Sequence, residues 1–470
     1  MTRFSRRSLF RGAAVGAAAV KLGAGTQVHL DKVRPLLPLV LAFQADSVVS
    51  GFGVRTDNKS PTNYPAYANL DAQEAAIINL GVRHLRESVQ TRNTSQRNSL
   101  RTAMARFTAT TLGGGQPSPR YCVGTGQING NDGTVIAAFD EMATGLSPAW
   151  IDAVEGPNEP NGADVRLTGP TGVWYTDVRT RLRANKDQKA ARPAFSHVTL
   201  LGPALVGNGF DGFNALGDIT ALVDGGNLHT YPGGLAPPAV GGGESDMVSK
   251  VSKHQTITNP GQPIYCTESG MHDATLDVNA QGEKKHTPRA VANVYLPRLT
   301  FSLFRLGVAR HYYFELADRK AATEGLDSSN HHHGLYEEDW TPKPIAATAK
   351  RMLDLFRDYG ASFTPAGLRY TVSGAPTDMH QRLYERRNGT KLLVLWRDVS
   401  IWNRVTQTDI AVTPVRATIN LQTATPVSLY RPSLQTAPWK PRVTTATFTV
   451  NLGAELVVCE IGQLSTTTEG

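Results

Sequence analysis

Between residues 48 and 360 the chain alternates short apolar runs with helical patterns eight times, and few folds accept that order. The apolar runs are "VVSGFGV" (48–54), "GVRHLRE" (81–87), "RYCVGT" (120–125), "WIDAVEG" (150–156), "HVTLLGPAL" (197–205), "NLHTY" (227–231), "QPIYCTE" (262–268) and "ARHYYFE" (309–315). Stretches such as "LDAQEAAIINLG", "QRNSLRTAMARF" and "VWYTDVRTRLRANK" follow them with helical character. In "TPRAVANVYLPRLTFSLFRLG" we expect Thr287 as N-cap and Pro288 at the first helical position. In "KPIAATAKRMLDLFRDYG" we expect Gly360 as the stop. An open doubly wound sheet usually carries fewer units, and no GxGxxG follows the first run. The pattern therefore predicts α/β architecture of the (β/α)8 TIM barrel type.

After Gly360 the period drops to two. "GLRYTVSG", "HQRLYERR", "KLLVLWRDV", "RATINLQT", "PVSLYRP", "TATFTVN" and "ELVVCEIG" are short strands parted by Gly, Pro, Asn and Asp. They predict an antiparallel β-sandwich domain after the barrel. The expected division is a signal region and leader over 1–45, a barrel over 46–360 and a sandwich over 361–470. No long linker separates the last two, so they should pack closely.

The start of the chain, "SRRSLFRGAAVGAAAV", sets Arg6 and Arg7 before a short Ala/Gly/Val run. That layout reads as a twin-arginine export signal and predicts a secreted, periplasmic or cell-envelope protein. A second apolar run, "LLPLVLAF" (36–43), is too short to span a bilayer, and either extends the signal or forms a first strand. No stable membrane insertion is expected. The formal charge of +8 comes from scattered Lys and Arg with no basic stripe interleaved with aromatics, which argues against nucleic acid. It weakly favours acidic polysaccharide or an anionic cell envelope. Three distant cysteines, Cys122, Cys266 and Cys459, have no metal-ligand spacing. The run His331–His333 cannot turn three adjacent imidazoles onto one ion, so neither a metal nor another cofactor is expected. Oligomeric state is not legible.

"EGPNEPN" (155–161) follows the fourth apolar run and suits neither a helix nor a strand interior. It is either a surface turn or the exit of a strand whose last residues do chemistry. In a barrel, active sites lie at the C-terminal ends of the strands. Run four ends with Asn158 and Glu159, and run seven ends with Glu268. Such a pair is what retaining cleavage of a glycosidic bond requires: one protonated carboxyl for the leaving group, one ionised carboxyl to attack the anomeric carbon. A carboxyl beside apolar prolines suits the protonated role, Glu159. Glu155 falls inside the strand and reads as a buried, hydrogen-bonded structural carboxylate.

On these motifs the chain resembles the clan A retaining glycoside hydrolases, whose barrels carry Asn-Glu on strand four and Glu on strand seven. The C-terminal sandwich and "GLYEEDWTPKPIA" (334–346) look closest to families 39 and 5. The resemblance covers residues 48–460 and implies a carbohydrate substrate, Glu159 as acid/base and Glu268 as nucleophile. It further implies Asn158 as donor to the sugar 2-hydroxyl, Arg86 as the cation that keeps the nucleophile ionised, and Tyr231 as a donor to Glu268. His229 would touch the sugar or the acid/base. Strand eight departs from the clan's platform tryptophan. Tyr312, Tyr313 or Phe314 stands in its place, with Tyr313 taken as facing substrate. Trp174 and Trp340 are further candidates for stacking. The competing reading keeps this fold for a catalytically silent carbohydrate-binding or cell-envelope protein.

Overall fold

The computed structural model describes residues 35–462 apart from 129–133, 163–168, 208–209, 239–245, 279–281 and 322. The signal motif with Arg6 and Arg7 lies outside the described residues. Eight parallel strands alternate with eight helices. They are β1 (Phe52–Arg55), α1 (Leu70–Leu80), β2 (His84–Ser88), α2 (Thr94–Ala109), β3 (Arg120–Gly124), α3 (Val135–Thr144), β4 (Ile151–Glu155) and α4 (Trp174–Ala190). Then follow β5 (Thr199–Leu200), α5 (Phe210–Leu216), β6 (Gly226–His229), α6 (Met247–Ile257), β7 (Ile264–Ser269), α7 (Arg289–Arg305), β8 (Val308–Tyr313) and α8 (Pro344–Phe356).

The strands pair in the order β5-β4-β3-β2-β1-β8-β7-β6. A parallel bridge between Leu201 and Gly225 joins the two ends, with the Gly202 N–H donating to the Gly225 carbonyl at 2.9 Å. The sheet therefore closes into the expected barrel. Phe52, Leu85, Val123, Val154 and Cys266 are buried with Leu80, Phe107, Phe139 and Leu299 of the helices. Burying an apolar side chain of this size is worth about 1.5–3 kcal/mol, so this layer dominates the fold's stability. Gly81 ends α1 at φ 68° and gives its N–H to the Ile77 carbonyl, a left-handed cap that a Cβ would strain.

Several boundaries differ from the sequence expectation. Val48 and Val49 belong to a five-residue helix (Asp46–Ser50), not to β1. The fifth run forms a regular strand only over Thr199–Leu200 and continues as isolated bridges, Leu201 to Gly225 and Ala204 to Asn158. Pro288 is itself the cap of α7, with ψ 143°, and Thr287 caps nothing. Helix α8 ends at Phe356, four residues before Gly360.

The C-terminal region is the expected antiparallel β-sandwich. "RATINLQT" and "PVSLYRP", read as two strands, form one continuous strand, Val415–Tyr430. Its pairing with Lys440–Leu452 slips register between Asn420 and Thr425. Its first half pairs with Leu368–Ser373 and its second half with Val457–Ile461. Residues 37–44, grouped with the leader in the sequence reading, add two short strands, Leu39–Val40 and Phe43–Gln44, to this sheet. Strand Lys391–Arg397 is apolar on both faces. Leu393 and Leu395 enter the sandwich core, whereas Leu392, Val394 and Trp396 pack with the barrel helices. Phe301 of α7 and Phe356 of α8 meet Tyr384 at 5.8 and 5.2 Å between ring centroids. Among the described residues no helix is long and apolar enough to cross a membrane.

Candidate active site

Cys122, Ala153, Leu201 and Tyr312 fill one layer of the barrel interior. Two residues beyond Ala153, on the same face of β4, Glu155 begins a polar layer. Arg86 of β2 gives Nε to Glu155 Oε1 at 2.6 Å and Nη2 to Glu155 Oε2 at 3.0 Å. Its Nη1 reaches Glu268 Oε1 at 2.5 Å, and its Nη2 also donates to Asn158 Oδ1 at 3.1 Å. One guanidinium thus binds both carboxylates and orients the Asn158 amide. Burial alone would raise the Glu155 carboxyl, but Arg86 overrides it and lowers it below its ordinary range.

The turn after β4 is held by the neighbouring strand exit. Asn158 bridges Ala204, and the Glu159 N–H donates to the Ala204 carbonyl at 3.0 Å. Asn161 exchanges two hydrogen bonds with the Val206 backbone, at 2.7 and 2.9 Å. Gly156 is required because a Cβ there would sit 2.9 Å from the backbone of residues 202 and 203. Glu159 itself takes φ 44°, a left-handed conformation that non-glycine residues adopt rarely and that functional sites often retain.

On the opposite wall, Tyr231 donates its hydroxyl to Glu268 Oε2 at 2.6 Å. Burial would raise the Glu268 carboxyl. Positive charge at His229, then Arg86 and Arg55, together with the Tyr231 donor, outweighs burial and holds it well below the usual carboxylate range. His229 lies between the two acids, with Nδ1 2.9 Å from Glu159 Oε1 and 3.4 Å from Glu268 Oε2. One carboxylate oxygen of each acid and a His229 ring nitrogen all lie within 4.8 Å of one another.

A chain of polar contacts fixes the histidine's protonation pattern. Asn227 gives Nδ2 to Glu155 Oε2 at 3.2 Å, so its Oδ1 must face the Thr267 hydroxyl, which donates to it at 2.7 Å. Thr267 therefore accepts from His229 Nε2–H at 3.1 Å. With Nε2 as donor, the Nδ1···Glu159 contact is a hydrogen bond only if a proton lies between them. Thr267 and Glu268 both face inward because β7 slips register against β6 between Cys266 and Glu268, a bulge that re-aims consecutive side chains.

Glu159, Glu268, Asn158, Arg86, His229 and Tyr231 thus converge at one mouth of the barrel, and Glu155 is the buried, hydrogen-bonded carboxylate expected. Tyr313 does not join them. Alternation along β8 turns Tyr312 into the interior and Tyr313 outward to the helix layer, where its hydroxyl donates to the Met271 carbonyl at 3.1 Å. Phe314 comes nearest the site, 6.0 Å from the Tyr231 ring. Trp340 donates Nε1 to the Ala66 carbonyl and Trp174 packs on a cluster around Val178, so both serve packing. Sequence reasoning missed Thr267, Asn227, Asn161 and Arg55.

Two groups have metal-like geometry among the described residues: Glu159, His229 and Glu268, and Asp273, Asp318 and His332. Neither donor set fits an ion. The Arg86 guanidinium already neutralises Glu268, and Lys343 puts its ammonium 3.1 Å from Asp273 and 2.7 Å from Asp318.

No protein-family profile matches the chain. No curated protein sequence matches it either. Solved structures share its fold. A family 39 glycoside hydrolase from Bacteroides cellulosilyticus aligns at TM-score 0.57 and 14% identity, over 89% of this chain and 82% of that one. The family 39 enzyme from Xanthomonas axonopodis pv. citri aligns at 0.52 and 15%, over 91% and 96%. A monomeric β-xylosidase from Caulobacter crescentus aligns at 0.52 and 14%, over 92% and 99%. The barrel with its appended antiparallel domain is therefore the architecture of these glycosidases.

Proposed function

We propose that the chain is an exported glycoside hydrolase that cleaves the O-glycosidic bonds of poly- or oligosaccharides with retention of configuration. One observation carries the reading: the oxygens of Glu159 and Glu268 approach within 4.8 Å across the barrel mouth. Retaining enzymes set their carboxyl groups ~5–5.5 Å apart, whereas inverting ones leave ~6.5–9.5 Å for a water. Glu268, held ionised by Arg86 and Tyr231, attacks the anomeric carbon. Glu159 delivers a proton to the leaving oxygen and then takes one from the water that releases the glycosyl-enzyme. Asn158, its Oδ1 held by Arg86, keeps its NH2 group for the sugar 2-hydroxyl. The twin-arginine signal would export the folded protein, with residues 46–360 as its catalytic domain and 361–470 as a supporting one.

Azide separates the two roles. In Glu159→Ala, it should capture the intermediate from a substrate with a good leaving group and yield a glycosyl azide of retained configuration. In Glu268→Ala, it should attack the substrate directly and yield the inverted azide. Swapped configurations would reverse the labels. Loss of less than about tenfold in either variant would remove the pair from the chemistry and leave a silent carbohydrate-binding protein.

A further inference from the structure

Strands at the edge of a sheet normally turn polar or charged side chains to solvent. The segment from Leu36 to Gln44 does the opposite. It pairs through Leu39–Val40 with one edge of the C-terminal sheet and through Phe43–Gln44 with the other. Val40 and Ala42 pack on the sandwich core, so alternation turns Leu39, Leu41 and Phe43 outward. Those three are 49%, 72% and 49% exposed, and Leu36, just before them, is 71% exposed. Single exposed leucines need no explanation, but four large apolar side chains along one short segment make a row that does.

Cations flank this row. Arg369 is the cross-strand partner of Leu39. At the other end, Arg382 lays its guanidinium 3.9 Å over the Phe43 ring. Its Nη1 donates to the Phe304 carbonyl, and the exposed Arg305 follows. The neighbouring carboxylates are engaged by other groups. Glu385 accepts from the N–H groups of Ala366 and Gly367 and pairs with Lys391 at 2.7 Å. Asp46 pairs with Arg83 at 2.7 Å, and Asp358 with Arg387 at 3.4 Å. The row is therefore apolar with a positive margin. Phe304 belongs to the last turn of α7, at the end of the barrel where the strands begin, whereas Glu159 and Glu268 meet at the opposite end.

An anionic phospholipid surface matches both parts of this pattern. Leucine and phenylalanine enter the boundary between headgroups and acyl chains, and arginines meet the lipid phosphates. A second copy of the chain fits less well, because a stable interface takes about 800 Å² from each partner, more than one short row offers. We propose that residues 36–43, with Arg305, Arg369 and Arg382, form a docking surface for an anionic phospholipid membrane, which holds the protein on the bilayer without crossing it. Docked this way, the barrel mouth faces away from the lipid and stays open to substrate. The proposal goes beyond the hydrolase reading and does not rest on it.

The test sediments the full chain with phosphatidylcholine vesicles that contain either no anionic lipid or about one third phosphatidylglycerol. Partitioning should be about tenfold stronger onto the anionic vesicles and should weaken as added salt screens the arginines. Leu36→Ser combined with Leu41→Ser, at two exposed positions where folding is not at risk, should lower partitioning about tenfold at an unchanged unfolding temperature. Arg305→Gln should lower it severalfold on the anionic vesicles alone. Equal partitioning onto both kinds of vesicle, or none, would overturn the proposal. Binding that the leucine variant leaves unchanged would belong to the basic leader around Arg6 and Arg7, and would overturn it too. A dimer in light scattering that the leucine variant dissolves, without vesicle binding, would assign the row to a second copy and equally overturn it.

Discussion

Replacing Thr267 with Val removes one hydroxyl, keeps the side-chain shape, and touches neither Glu159 nor Glu268. In the native site that hydroxyl donates to Asn227 and accepts from His229 Nε2–H. The substitution leaves two buried polar groups without partners, each costing about 1–3 kcal/mol, so stability should fall by about 2–4 kcal/mol with partial relaxation. The larger consequence is chemical. Without an acceptor at Nε2, the imidazole gains by carrying its proton on Nδ1 instead, where it donates to Glu159 at 2.9 Å and approaches Glu268 at 3.4 Å. Glu159 then rests as a carboxylate that accepts a hydrogen bond, and is no longer poised to give a proton away. General acid catalysis is worth about 10²–10⁴-fold, and substrates differ in how much of it they need. With aryl glycosides of poor leaving ability, kcat/KM should fall by about 10–100-fold. With dinitrophenyl glycosides, which leave unaided, the loss should be several times smaller. A plot of rate against leaving-group acidity should steepen accordingly, and Thr267→Ser, which restores the hydroxyl, should return it to the native slope. A Val variant that loses stability yet keeps the native slope would refute the reasoning. The hydroxyl would then be a packing detail and the proton on His229 would be set elsewhere.

Three further outcomes follow from the same contacts. Tyr231→Phe deletes the 2.6 Å donor to Glu268 but leaves the ring against Phe314 and His333. A hydrogen bond to a charged acceptor is worth about 1.5–3 kcal/mol, so steady-state kinetics should show a loss on the order of 10–100-fold with little change in unfolding temperature. Arg86→Gln removes the cation that lowers both Glu155 and Glu268. A carboxyl depressed in the folded state adds stability above its unfolded value near ~4.3, and this is lost as pH falls through the lower folded value. The native protein should therefore resist acid well below pH ~4, whereas the variant's acid unfolding and the acid limb of its kcat/KM should both move up toward the ordinary carboxylate range. Lys343→Met strands Asp273 and Asp318 without their ammonium. Breaking such a buried pair costs about 3–5 kcal/mol in denaturant unfolding, and adding Asp318→Asn should recover part of it.

What the sequence could and could not disclose follows from how each residue acquires its direction. Parallel strands buried on both faces read as short apolar runs, so eight of them stood out. Their limits did not, because Val48 and Val49 are as apolar in a helix as in a strand. The continuous strand Val415–Tyr430 also carries a turn-like composition around Pro426. Glu159, Glu268, Asn158, Arg86, His229 and Tyr231 were legible because they end strands, where the chain must stop pairing and side chains face the mouth. Arg55 also ends a strand, but its pull on the Glu268 carboxyl shows only once β1 and β7 stand round one barrel. Thr267 and Asn227 are harder still. Period-two alternation along "IYCTES" allows either Thr267 or Glu268 to face inward, never both, and a reading that places the nucleophile inside must send the threonine out. The register slip between β6 and β7 breaks that rule at one residue. It brings Thr267 within hydrogen-bond reach of His229 while leaving Glu268 opposite Glu159, so two consecutive residues share one face of the sheet. A bulge has no composition of its own in this strand. The pairing of three strands decides it, and with it which ring nitrogen of His229 is left to face the acid.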